Sequence, residues 1–270
     1  LLPIRRSSVT RWSRLPGIRS NWSARASLGA FLALRSCASD LDAVLFHTQV
    51  TSLFSTGLMG RVPAVISLDA TPVQYDALGA FYGHTPGGYS RIEKVKKDLN
   101  QRAFAAAHRL VTWSQWAKDS LVADYGVDPG KITVIPPGID TDLWTFDRNA
   151  NRTSSTVRIL FVGGDFLRKG GDTLLESLAA LPADMDIHLD IVSKAEGLEA
   201  VPANVTVHRD IVPNSPKLRT LFAEADIFAF PTRADCLPLA VMEALASSLP
   251  VITTQVGALP EAVVDGRTGL

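Results

Sequence analysis

The sequence predicts an α/β protein made of two doubly wound domains with parallel sheets. Three observations lead there. Short apolar runs alternate with helically periodic segments, a polar stretch rich in turn formers interrupts the alternation near the middle of the 270 residues, and the alternation then restarts. Strands separated by whole helices do not pair as tight hairpins, so right-handed crossovers and parallel sheets follow.

Taken in order, the first 39 residues carry seven arginines and no acid, with Trp12 and Trp22 interleaved. Three readings fit this segment. It is an Arg- and Ser-rich transit segment, a basic amphipathic helix on an anionic membrane surface, or a solvated loop and helix outside the first domain. The chain starts on Leu1 and its first clear strand is at 43–47, so a fragment entered midway through a domain is expected. Further strands are predicted at 64–68, 109–112 and 132–135, each an apolar run of strand length. Helices are predicted at 93–107 and 114–124, the second capped by Ser114. Ile135, Pro136, Pro137, Gly138, Ile139 and Asp140 break the pattern, and 147–155 is polar without periodicity. We therefore expect a first domain over 1–142, a linker over 143–156 and a second domain over 157–270. The second domain is predicted to run strand 157–162, helix 172–180, strands 187–192 and 205–208, helix 215–223, strand 226–230 and helix 238–247.

Composition narrows the function classes. Hydrophobic residues at 46% and charged residues at 20% fit an ordinary soluble enzyme. Zero formal net charge gives no general preference for nucleic acid. Cys37 and Cys236 are far apart and match no metal or disulfide framework, which suits a reducing, cytoplasmic setting. No apolar run reaches the length of about eighteen residues that reads as a membrane span. His47, His84, His108, His188 and His208 form no pair at metal-ligand spacing, so metal-independent chemistry is expected.

The candidate chemistry gathers in the second domain. Asp235 stands ahead of the helix at 238–247, where a carboxylate caps free N–H groups, and Pro238 fits the first turn. A helix N-terminus of this kind attracts a diphosphate. Glu243 lies eight residues on, about 12 Å further along the axis. Residues 161–170 follow a strand and precede a helix, giving a flexible basic loop where open α/β sheets place ligands. There Arg168 and Lys169 can clamp a diphosphate. In the first domain Asp69 and Thr71 follow a strand; Asp69 either holds a ligand hydroxyl or caps the next turn. Tyr82, His84, Pro86 and Tyr89 belong to a loop that is either a flap or an ordinary connection, and Glu261 after Pro260 either orients the site or is a surface carboxylate.

Pro231, Leu239, Glu243, Ala244, Leu249, Pro250, Val251, Ile252, Pro260, Glu261, Gly266 and Gly269 resemble the signature of the retaining family 4 glycosyltransferases of the GT-B fold. That fold pairs two Rossmann-like domains with parallel sheets facing a cleft; by this resemblance both are incomplete here, lacking an upstream Gly-rich loop and later helices.

The resemblance implies metal-independent transfer of a hexose, with retention, from a nucleotide diphosphate sugar to an acceptor hydroxyl, and no other cofactor. It gives Asp235 the contact to the transferred sugar and Glu243 the ribose hydroxyls. Lys169 matches the lysine that neutralises the leaving diphosphate, while Gly164 stands where the family has Arg and Arg168 supplies that charge. Gly163, Gly164, Leu237 and Leu239 line the donor, and Asp69 stands near the point where many members carry a catalytic His. Asp235 is one methylene shorter than the usual Glu, and Pro238 replaces a Gly. The expected partners are the nucleotide-sugar donor, a carbohydrate or lipid-linked acceptor, and an anionic membrane surface at the cytoplasmic side, with no nucleic acid. Two other classes stay open: a non-catalytic sugar-nucleotide-binding protein, and another enzyme of the fold such as a sugar-nucleotide epimerase.

Overall fold

The computed structural model describes residues 21–83, 91–146 and 155–270. The readings placed on residues 1–20, on His84, Pro86 and Tyr89, and on the polar stretch at 147–154 lie outside them.

The described residues up to Gly79, and from 91 through Pro136, form one compact unit. Helix α1 (Trp22–Arg35) starts where the Asn21 side chain accepts from the Ala24 amide at 3.0 Å, and it buries the small residues Ser27, Gly29 and Ala30. The sheet follows as β1 (Val44–His47), β2 (Ala64–Leu68), β3 (Arg109–Thr112) and β4 (Ile132–Val134), hydrogen-bonded in that order and parallel throughout. Short helices α2 (Thr56–Met59) and α3 (Pro72–Ala77) and longer helices α4 (Arg91–Ala106) and α5 (Gln115–Tyr125) supply the crossovers.

Strand β2 is interior, and its Ala64, Ile66 and Leu68 are 1%, 0% and 0% exposed, against Phe104 of α4 and Leu121 of α5 in the same core. Ser114 caps α5 as predicted, accepting from the Ala117 amide at 3.1 Å. The same helix stops at Gly126, whose φ of 66° needs the left-handed region that glycine enters without a Cβ clash.

The described residues from Pro137 to Leu270, with the short segment Ala80–Gly83, form the second unit. Its elements are α6 (Thr141–Trp144), β5 (Val157–Val162), α7 (Gly171–Ala179), β6 (Ile187–Val192), β7 (Val205–His208), α8 (Pro216–Glu224), β8 (Ile227–Phe230), α9 (Leu239–Ala246), β9 (Val251–Thr253) and α10 (Leu259–Ala262). All pairs are parallel, in the order β7-β6-β5-β8-β9. Buried phenylalanines run through the core: Phe222 stacks on Phe228 at 5.6 Å, and Phe228 on Phe230 at 5.9 Å. Trp144 packs edge-on against Phe222 at 4.9 Å, so α6 belongs to this core.

The winding reverses at β5. The chain runs outward through β6 and β7, then returns to lay β8 and β9 on the other side. A crevice opens at the carboxyl ends of the two strands that flank such a reversal, because their loops depart to opposite faces. Among the described residues no helix is long and apolar enough to cross a membrane.

Candidate active site

The two loops at the reversal carry the predicted cations and the first predicted carboxylate. Residues 163–170 follow β5 and residues 231–238 follow β8. The first, predicted as a flexible basic loop, is folded on itself. The Lys169 amide donates to the Asp165 carbonyl at 3.0 Å, the Gly171 amide donates to the Phe166 carbonyl at 2.8 Å, and Phe166 packs edge-on against Phe161. Gly170 has φ 78°, and a Cβ there would sit 1.9 Å from the Pro231 carbonyl oxygen. The loops thus meet backbone to backbone.

Lys169, Arg168 and Asp235 converge. Lys169 Nζ lies 2.7 Å from Asp235 Oδ2, with side chains 18% and 14% exposed, and 4.9 Å from the Phe230 ring. Arg168 donates through Nε to Asp165 at 2.9 Å and through Nη1 to the Ala234 carbonyl at 2.6 Å, and it lies 3.7 Å from Asp235 Oδ2. Its guanidinium is stacked 4.6 Å from the ring of Tyr82. This overturns the expected capping role of Asp235. Helix α9 begins at Leu239 with Pro238 as its N-cap, outside the first turn, and no side chain caps it. An ammonium at short range is a stronger partner for a carboxylate than a neutral amide, so the tertiary ion pair wins over the local cap.

Glu243 projects from α9 and is half-buried, and among the described residues its carboxylate has no hydrogen-bond or ion-pair partner. Burial pushes its pKa above the usual glutamate value, because a desolvated carboxylate resists ionisation. A carboxyl whose folded value exceeds its unfolded value contributes stability fully below the unfolded value and loses it as pH rises through the folded one. Glu243→Gln is therefore expected to melt above the wild type at pH 7, with the gap closing below about pH 4; thermal melts across that range check it.

The other predicted residues are placed as follows. A Cβ on Gly163 would lie 2.8 Å from Phe161 Cζ and 3.0 Å from Lys169 Cδ, so this glycine gives room to the phenylalanine ring and the lysine stem, whereas a Cβ on Gly164 would meet nothing within 4 Å. Leu237 is 7% exposed, a core residue, and Leu239 is 46% exposed at the start of α9. Asp69 belongs to the first unit, where its Oδ1 accepts from the Ala70 amide at 3.0 Å. Thr71 next to it caps α3, accepting from the Gln74 amide at 3.3 Å. Glu261 lies in the first turn of α10.

Two residues that hold these loops were missed. Arg233 donates to the Leu167 carbonyl, to Asp172 Oδ1 at 2.7 Å and to Thr173 Oγ1 at 2.8 Å, and its amide donates to the Arg168 carbonyl at 2.9 Å. The hydrogen bond from Arg233 holds the Asp172 carboxyl below the usual range. Gly257, at φ 60°, would place a Cβ 2.2 Å from the Asp235 carbonyl oxygen, and the Ala258 amide donates to the Cys236 carbonyl at 2.9 Å. The partners of Arg233 lie some sixty residues away in sequence, and no local pattern announces them.

A second ionic cluster has no sequence spacing of its own either. Asp190 of β6, 4% exposed, accepts from Arg158 of β5 at 2.9 Å and sits 2.8 Å from His208 Nε2 of β7, brought together by strand register. Among the described residues no group of three or more His, Cys, Asp or Glu is arranged to hold a metal ion.

Comparison with known proteins gives this arrangement a context. The sequence profile described as "Glycosyltransferase Family 4" matches residues 3–143, and that described as "Glycosyl transferases group 1" matches 156–270. D-inositol 3-phosphate glycosyltransferase of Paenarthrobacter aurescens is 32% identical over 193 residues, covering 65% of this chain and 47% of that protein. The chain spans about half the length of such relatives. Among solved structures, sucrose-phosphate synthase of Thermosynechococcus elongatus superposes with a TM-score of 0.70 at 17% identity, over 93% of this chain and 66% of that one. HepE of Anabaena in complex with UDP superposes with a TM-score of 0.68 at 16% identity, over 90% and 67%. The fold is GT-B. With its first 143 residues matched end to end but for the opening two, the chain belongs to Glycosyltransferase Family 4.

Proposed function

We propose that the protein carrying this chain transfers a hexose from a nucleotide diphosphate sugar to an acceptor hydroxyl, with retention at the anomeric carbon and without a metal. The observation that carries this reading is the convergence of Lys169 and Arg168 on Asp235 at the sheet's winding reversal. Two cations in a crevice that is largely out of solvent supply fixed positive charge where a departing diphosphate needs it. An arriving diphosphate exchanges with the Asp235 carboxylate as their partner. That exchange frees Asp235 to accept a hydroxyl of the transferred sugar. Glu243, half-buried and without a described partner, accepts from the ribose hydroxyls. Gly163 and Gly164 let the diphosphate approach, and Leu237 and Leu239 bound the donor through main chain and side chain respectively.

In the reaction the bond from the anomeric carbon to the diphosphate oxygen breaks with its electron pair going to the diphosphate. The acceptor oxygen bonds to the same face of the sugar, and its proton passes to the leaving diphosphate. Asp69 is assigned to the acceptor side, and we take the unit that ends at Pro136 as the acceptor-side domain and the unit from Pro137 onward, which includes α6, as the donor-side domain. HepE is described in complex with UDP-glucose as well as UDP, which supports a nucleotide-sugar donor here. The acceptor is a carbohydrate or a lipid-linked carbohydrate. The acid-free first 39 residues support peripheral contact with an anionic membrane from the cytoplasmic side; failure of anionic liposomes to retain the protein would remove that part.

The test is release of free nucleotide from UDP-, GDP- and ADP-sugars by the full-length protein across an acceptor panel. Turnover that disappears in Glu243→Ala, together with donor binding, is the expected result. Tight binding without turnover would favour a non-catalytic nucleotide-sugar binder, a reading to which the already neutralised Lys169–Asp235 pair lends weight. Absence of binding to every donor sinks both.

A further inference from the structure

We infer that Arg233 is a positioning residue that sets the preference for a nucleoside diphosphate over the monophosphate, acting through the corner formed by Arg168 and Lys169. The inference rests on the donor site proposed above. It assigns Arg233 no contact with the substrate.

The argument is one of bracketing. The guanidinium of Arg233 donates to Leu167, just before the two cations, and to Asp172 and Thr173, just after them. Its main-chain amide donates to the carbonyl of Arg168 itself, and the neighbouring Thr232 hydroxyl reaches the same carbonyl at 3.3 Å. One residue of the β8 loop therefore holds the chain on both sides of Lys169, at Leu167 in the β5 loop and in the first turn of α7. Arg168 completes the frame in the opposite direction by donating to Ala234.

The fold does not need this clamp. Strands β5 and β8 already pair through Ile159 with Ile227 and Leu160 with Phe228, and Gly170 already lies against Pro231. The Arg233 and Asp172 side chains are 35% and 33% exposed, at the rim of the loops. What the clamp adds is direction: it fixes where the Arg168 and Lys169 side chains leave the backbone. A guanidinium is suited to this because its planar fork meets several acceptors at once, which an ammonium cannot reproduce.

The consequence is selective. A nucleoside monophosphate lacks the second phosphoryl group that the two cations address, so loosening the corner weakens diphosphate binding and spares the rest of the nucleotide. The experiment measures affinities of the full-length protein for UDP and UMP, GDP and GMP, and ADP and AMP. In Arg233→Met the diphosphate affinity is expected to fall roughly tenfold, with monophosphate affinity unchanged within about a factor of two, a pattern that a generally loosened fold does not give. Arg233→Lys, which keeps the pairing with Asp172, recovers part of the loss. Thr173→Val, which removes one acceptor and leaves the arginine, shifts the same ratio by less, and it keeps the question answerable if Arg233→Met folds poorly. Equal losses for both nucleotides, or none, overturn the inference. Lys169→Ala is the reference. If it abolishes the diphosphate preference while Arg233→Met keeps it, the inference alone falls; if the wild type shows no diphosphate preference, the donor reading falls first and takes the inference with it.

Discussion

Lys169→Ala is expected to lower turnover by about a hundredfold or more, the cost of removing one preorganised donor to a developing oxyanion. The ammonium is already placed before any donor arrives, by Asp235 at 2.7 Å and by its position over the Phe230 ring, so the exchange of Asp235 for the diphosphate is completed on donor binding and little reorganisation is left for bond breaking. Arg168 does not take over its place. Its Nε is committed to Asp165 and its Nη1 to Ala234, and it stands 3.7 Å from the carboxylate that Lys169 touches. The check is the catalytic constant for nucleotide release at saturating donor, with a thermal melt to show that the variant is folded. A fall of less than about threefold would remove Lys169 from the transition-state machinery, since even one weak charged contact is worth more.

Gly170→Ala carries the largest expected loss of stability. The left-handed backbone at φ 78° costs a residue with a Cβ about 1 kcal/mol, and the new carbon would sit 1.9 Å from a main-chain oxygen, that of Pro231. A main-chain atom cannot rotate away as a side chain does. Moving the loops apart adds roughly 1–3 kcal/mol of overpacking strain. The sum predicts a fall in melting temperature of about 10 °C for a unit of this size, read by calorimetry. Gly164→Ala, whose Cβ would meet nothing within 4 Å, is the matched control and is expected to stay within about 0.5 kcal/mol of the wild type. Equal melting temperatures for the two variants would contradict the close loop packing.

Much of the fold was readable from the residues because buried parallel strands are short apolar runs bounded by turn formers. Strands 64–68, 109–112, 157–162, 187–192 and 205–208 were predicted to the residue. Strand β9 was not, for it has three residues behind Pro250 and only Val251 of them is buried, leaving no period to detect. The site was partly legible. Arg168 and Lys169 stand out as cations between a strand and a helix, and Glu243 as an acid on an apolar helix. The capping role expected of Asp235 failed because its true partner lies 66 residues away, beyond the reach of any local rule. Arg233 was missed for the same reason: its acceptors are 60 to 66 residues distant.

The close approach of Gly257 to the main chain at Asp235 bears on the sugar contact proposed for that residue. With a glycine held against the Asp235 carbonyl oxygen, and the Cys236 carbonyl bonded to Ala258, the backbone there is a fixed post, and the carboxylate reaches only as far as its own arm. An aspartate where the family pattern has glutamate ends short by one carbon–carbon bond, about 1.5 Å, and a post that cannot slide forward does not make up the difference. In the donor site proposed above, discrimination between hexoses that differ at the hydroxyl facing Asp235 would be set by arm length, a property changed by a single substitution without remodelling a loop.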